Sequence, residues 1–125
     1  MCLDKITRKN VTLKKDTTVW KIMGYNEKSR HYYHGYFICR KEKVKKGINK
    51  VEHIIELEIP MRDKYISGYH CFLNERDANK FNIFSTNRAK IRKFVIPKGT
   101  KVTLGLQIDH HYDNLKVIVT PILIN

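Results

Sequence analysis

The sequence predicts an α+β domain: a mostly antiparallel twisted sheet or half-open barrel of about six or seven strands, with one short helix near residues 75–84. Three observations predict it. Runs rich in β-branched and aromatic residues recur along the chain, separated by short turn signals. The hydrophobic period switches from two to 3.6 only once, just after Asn74. And 125 residues, 42% of them hydrophobic, are enough for one core in one domain.

Residues 1–16 are polar and basic with little pattern, and read as an N-terminal arm or a short edge strand ahead of a single domain over 17–125. Thr17–Met23 is β-rich, and residues 24–29 form a turn-like break. His31–Arg40 is aromatic and β-branched, so it reads as a strand, with Gly35 marking a bulge or a close backbone approach. Residues 40–46 look like an exposed basic loop or strand end that stops at Gly47. Over 51–59 the second half alternates, with Ile55, Leu57 and Ile59 on one face and Glu56 and Glu58 on the other, until Pro60 ends the strand. Tyr65–Leu73 is a further strand-like run. Asn74 then offers an N-cap, Glu75 and Asp77 suit the first helical turn, and Ala78 and Phe81, with Ile83 or Phe84, give an apolar helical face.

The last third is β. Ile91, Lys93 and Val95 form one face of a strand, and Arg92, Phe94 and Ile96 the other. Pro97-Lys98-Gly99-Thr100 is a turn, and Lys101–Ile108 is a strand interrupted by Gly105. A loop over 109–114 leads to an apolar strand over 115–124, in which Pro121 favours an edge position or a bulge.

Charge is the strongest functional signal. Lys and Arg number 25 against 12 Asp and Glu, a net of +13. The excess is uneven: residues 1–46 carry 13 basic and 4 acidic side chains, a net of +9, and the rest of the chain +4. Such self-repulsion opposes compaction unless a partner uses it. Keeping a protein dissolved does not require the charge to be concentrated in one third of the chain. The partner is therefore expected to be anionic. Three cysteines, Cys2, Cys39 and Cys71, fit neither a disulfide framework nor a zinc pattern, which suggests a reducing, cytoplasmic setting. The N-terminus lacks the apolar stretch of a secretory signal, no run approaches a membrane span, and no membrane partner is expected.

The candidate contact residues follow from the charge. Arg40, Lys41, Lys43, Lys45 and Lys46 form one cluster; Arg88, Lys90, Arg92 and Lys93 form a second; Tyr32, Tyr33 and Tyr36 precede the first. Cations neutralise phosphates and release counterions, and exposed tyrosines stack on unpaired bases. Sheet plus aromatics suits single-stranded RNA better than duplex DNA. Against this stands the plain reading that the tyrosines fill the core and the lysines form a solvated face.

Chemistry is poorly represented. Cys2 would become an N-terminal nucleophile if Met1 were removed, with His70 or His34 as a base, but no local motif supplies an orienting partner. His31 and His34 diverge on a strand, as do His110 and His111 if extended, so no metal site is expected; His70 reads as a hydrogen-bonded core residue. Tyr33-His34-Gly35-Tyr36 superficially resembles the His-Gly segment of ADP-ribosyltransferases, but Glu56 and Glu58 stand in the wrong order for that fold. No glycine-rich phosphate loop is present. No catalytic residue, cofactor or small-molecule substrate is expected.

Met1-Cys2-Leu3, Trp20-Lys21-Ile22, Ser67-Gly68-Tyr69-His70-Cys71-Phe72 followed by Asp77-Ala78, and Ile96-Pro97-Lys98-Gly99-Thr100 occur in that order. In these motifs the chain resembles a loose group of small phage and mobile-element proteins of Bacteroidetes-type bacteria, which carry no established activity. The heavy basic load over residues 28–46 departs from that group. The resemblance implies a non-enzymatic inhibitor of host defence, of anti-CRISPR type, that engages an RNA-guided nuclease or its guide RNA in the host cytoplasm. The competing readings are a general single-stranded nucleic-acid-binding accessory protein, an N-terminal-cysteine enzyme and a sponge for nucleotide signals.

Overall fold

The structure is a computed structural model that describes residues 3–26, 28–33, 43–51, 56–58, 64–66, 68–82, 89–108 and 113–125. Its main sheet is a curled, antiparallel half-barrel. In chain order the strands are β1 (Lys5–Thr12), β2 (Thr17–Asn26), β3 (His31–Tyr33), β4 (Ile48–Lys50), β5 (Glu56–Glu58), β6 (Lys64–Ile66) and β7 (Tyr69–Phe72), and after the helix α1 (Glu75–Asn82) come β8 (Ala89–Ile96), β9 (Lys101–Ile108), β10 (Asn114–Thr120) and β11 (Ile122–Ile124). They run β1-β9-β10-β7-β2-β8-β11-β4 across the sheet, with β3 beside the end of β2; β5 and β6 pair separately.

The curl follows from one corner. The path leaves β10 and returns, through β7, β2 and β8, to β11, which is separated from β10 only by Pro121. Proline has no N–H to give a ladder, so the strand changes neighbours there. The fully buried Thr120 ties the corner: its hydroxyl donates to the Ile122 carbonyl (3.0 Å) and accepts from the Ile122 N–H (3.4 Å).

Both faces of the sheet are covered. Inside the curl lie Val19, Met23, Cys71, Phe94, Ile96, Val102, Ile118 and Leu123, contributed by six strands. On the outer face, Ile22, Phe72, Leu115, Val117 and Val119 pack under Ala78 and Phe81 of α1 and under Leu3 and Tyr65. Two-sided burial is why residues 117–119 read as an unbroken apolar run rather than an alternating one. The helix starts where expected: the Asn74 carbonyl accepts from Ala78 N–H (3.2 Å), and the Asp77 carboxylate accepts from Lys116 N–H on β10 (3.1 Å). Residues 83 and 84 of its expected extent lie outside the described residues.

The strand count of six or seven is corrected to eleven among the described residues. Two expected strands are each split in two. Pro121 divides 115–124, and a break before Gly68–Tyr69 divides 65–73, where a Cβ on Gly68 would stand 2.5 Å from the Thr120 carbonyl oxygen. Gly105, in contrast, interrupts nothing: β9 runs through it, and the missing side chain lets β1 approach, since a Cβ there would lie 2.5 Å from the Lys5 carbonyl oxygen. Strand β4 is too short and polar to announce itself. Residues 1–16 contribute β1, an edge strand hydrogen-bonded to β9. Its ends are clamped by carboxylates, with Asp4 accepting from Ile108 N–H (2.7 Å) and Asp16 from Lys98 N–H (2.8 Å).

Candidate functional site

Strands β2 and β8 pair from Thr17↔Ile96 to Gly24↔Ala89, and their inner-face residues change character along the ladder. Val19 and Phe94 are apolar and buried; Lys21 stands opposite Arg92, and Met23 opposite Lys90. Lys21 is only 8% exposed and is engaged in an interaction of its own. Beyond Met23 the inner face continues to Tyr25, which pairs with Tyr32 of β3, their ring centroids 4.9 Å apart.

Arg92 crosses this surface. Its guanidinium carbon lies 4.5 Å from the centre of the Tyr32 ring, although β2 separates β8 from β3 in the sheet. A cation over an aromatic face gains about 0.5–2 kcal/mol, more as water is excluded. The contact seats a half-buried guanidinium over the ring. Arg92 Nη2 also donates weakly to Asn125 Oδ1 (3.5 Å).

Asn125 joins the two basic segments. Its Nδ2 donates to the Lys45 carbonyl (3.2 Å) and its backbone N–H to the Gly47 carbonyl (2.8 Å). Buried Asn49 shapes the same loop: Lys45 N–H donates to Asn49 Oδ1 (2.8 Å), and Asn49 Nδ2 donates back to the Lys45 (2.9 Å) and Gly47 (3.4 Å) carbonyls. Gly47 takes φ +88°, a conformation that favours glycine. Next to it, Val44 N–H donates to the Tyr32 carbonyl (2.9 Å), docking the loop on β3. The described part of the first cluster and part of the second therefore meet at one end of the half-barrel.

Lys43, Lys45, Lys46, Lys90 and Lys93 are all exposed, and Tyr32 is half-buried against the inner core. Lys93 stands apart, because strand alternation sends it to the face opposite Lys90 and Arg92. Among the described residues no carboxylate pairs with any of these five lysines or with Arg92. Lys80, by contrast, pairs with Asp113 (3.3 Å). Arg40, Lys41, Tyr36 and Arg88 lie outside the described residues, as does the side chain of Tyr33. Sequence reasoning missed Tyr25, Asn49 and Asn125. Only the strand register places Tyr25 opposite Tyr32, and neither asparagine carries a local motif.

Other chemistry is limited. Cys71 is buried, and burial pushes its thiol up to about 12, Lys21 pulling weakly the other way; it is no nucleophile near neutral pH. His70, half-buried on β7, has Nδ1 3.1 Å from the Gly68 carbonyl and Nε2 2.8 Å from Tyr65 Oη. The carbonyl can only accept, so Nδ1 carries the proton and the Tyr65 hydroxyl donates to Nε2. Tyr65 Oη in turn accepts from the Leu3 N–H (3.0 Å). Among the described residues no group of three His, Cys, Asp or Glu could hold a metal ion, and no helix is long and apolar enough to cross a membrane. No family model, curated protein or solved structure matches the chain.

Proposed function

We propose that this chain is a non-enzymatic binding protein whose basic end engages an anionic macromolecular partner. The resemblance to small phage proteins points to a ribonucleoprotein nuclease of host defence, met in the bacterial cytoplasm. One observation carries the reading: segments 43–46 and 90–92 are brought together through Asn125 with no carboxylate among the described residues to neutralise them. Cations grouped without internal counter-charge cost folding energy that an external anion recovers.

The test is inhibition of an RNA-guided nuclease, scored by phage plating and by target cleavage with the purified protein. The native chain restores plating, and a Lys43→Glu, Lys45→Glu, Lys46→Glu variant of unchanged fold does not. Full effect in that variant, or no rescue by the native chain, overturns the reading. A general accessory role in single-strand binding predicts instead RNA affinity without rescue. A nucleotide sponge predicts a co-purifying ligand absorbing near 260 nm.

The N-terminal-cysteine reading also has an observation in its favour. Leu3, the residue after Cys2, is hydrogen-bonded to Tyr65, which is hydrogen-bonded to His70. Cys2 itself lies outside the described residues. Its test is Cys2→Ala, which abolishes the biological effect if the thiol acts and leaves it intact if the basic end suffices.

A further inference from the structure

We infer that the partner contacted by the basic end is an unpaired stretch of RNA, read by Arg92 in its stack on Tyr32. The inference rests on the binding function proposed above and names its ligand.

The argument starts from how little of Arg92 the protein uses. A guanidinium has five N–H donors in a rigid plane. Among the described residues, Arg92 makes one long bond, to the Asn125 amide oxygen, and one stack, on Tyr32. An arginine needed only to hold the fold would have a carboxylate or several carbonyls. Here the guanidinium is seated over a ring while most of its donors remain unspent among the described residues, which leaves a planar group able to meet a phosphate through its N–H edge or a base through its face.

The surroundings choose between anions. Lys45 and Lys46 on the loop and Lys90 on the strand are exposed, so they supply sequence-independent attraction. Tyr25, Tyr32 and Arg92 are half-buried on the inner face of a curled sheet. A rim of cations around a recessed aromatic and guanidinium platform is the recipe for single-strand binding. A duplex keeps its bases stacked and inward, and reaches the rim but not the platform. An acidic protein face has use for the lysines but not for an arginine seated on an aromatic ring.

Fluorescence anisotropy separates these ligands. The probes are a labelled single-stranded oligouridine, an RNA duplex of equal phosphate number and polyglutamate, each measured against the full chain at several salt concentrations. The native chain binds the single strand most tightly. Arg92→Lys keeps the charge and loses the plane; it weakens the single strand roughly tenfold and leaves polyglutamate unchanged. Tyr32→Leu gives the same selective loss, and thermal melting checks that both variants fold. Lys45→Glu with Lys46→Glu weakens all three probes and flattens the salt dependence.

The inference is overturned if Arg92→Lys binds the single strand as the native chain does, or if the duplex or polyglutamate is preferred. In those cases a loss on lysine reversal still upholds the broader binding function. If lysine reversal changes nothing either, both fail together.

Discussion

At one end of the β2–β8 ladder the inner-face pairs are Thr17 with Ile96 and Val19 with Phe94; at the other they are Lys21 with Arg92 and Met23 with Lys90. The backbone pairing is continuous across the change. Val19, Phe94 and Ile96 are 0–1% exposed and serve the core. Two residues further on, the same face carries a guanidinium seated over a tyrosine with most of its donors unspent among the described residues. The difference teaches that one ladder can divide its labour: its dry positions, with Met23 among them, set stability, while the cations Arg92 and Lys90 are held in place by that stability and contribute little to it.

Removing the dry half is the strongest way to break the comparison. Phe94 is 1% exposed, packed with Val19, Met23 and Ile96 inside the curl. Phe94→Ala is expected to cost about 3–5 kcal/mol, the transfer term plus the cavity it leaves. Urea denaturation followed by circular dichroism reads the change as a large drop in midpoint. A loss under 1 kcal/mol would mean that the inner face is not the dry core described.

The next substitution tests how the basic half is held. Asn49 is 2% exposed and exchanges hydrogen bonds with the Lys45 backbone on both sides of its amide. Asn49→Ala leaves the Lys45 N–H and carbonyl without those partners, at about 1–3 kcal/mol. Hydrogen exchange at residues 45–47 should accelerate most, while exchange in β9 and β10 accelerates only by the global loss of stability. Uniform acceleration would place the loop inside the main cooperative unit.

Several of these features were legible beforehand. The helix start at Asn74, the Pro97–Thr100 turn and the two faces of β8 all follow from local chemistry, and the structure has them. Alternation on β8 already implied that Lys93 could not share a face with Arg92, although both were candidates. What could not be read is long-range. Asn125 touches Lys45 from 80 positions away and Arg92 from 33, and such contacts depend on strand order, which no window of sequence contains. The splits at Gly68 and Pro121 were hidden for a related reason. Pro121 signalled an irregularity but not a change of neighbours, and Gly68, whose need is set by the Thr120 backbone passing alongside, lay inside a run that reads as one strand.

Cys71 reports where the dry half ends. It is fully buried on the inner face of β7, and Lys21 pulls its titration down while burial, the larger effect, pushes it up to about 12 from an ordinary 9.0. The sign follows. The folded state holds the thiol proton more tightly than the unfolded state does, so this contribution to stability is complete below pH 9 and declines as pH rises toward 12. The slope approaches about 1.4 kcal/mol per pH unit in that window. Comparing urea midpoints at several alkaline pH values in the native chain and in Cys71→Ala isolates it, because the alanine variant lacks that slope whatever its baseline stability. Equal slopes would show that water reaches the thiol and that the dry half stops short of β7.

The smallest expected effect on stability is the most informative about the basic half. Lys45 and Lys46 are exposed and, among the described residues, pair with no carboxylate. Reversing both to Glu takes the net charge from +13 to +9, since each change removes one cation and adds one anion. Surface changes of this kind lie within about 0.5 kcal/mol. The sign should be stabilising at low salt, because the chain repels itself less, and the gain should fade as salt screens it. If the lysines instead stabilise the fold through contacts of their own, the same variant loses stability at every salt concentration. Melting temperatures of the two chains at low and high ionic strength decide the matter: a gain at low salt that vanishes at high salt marks lysines held against the fold's own interest, which a chain keeps only where something outside it supplies the anion.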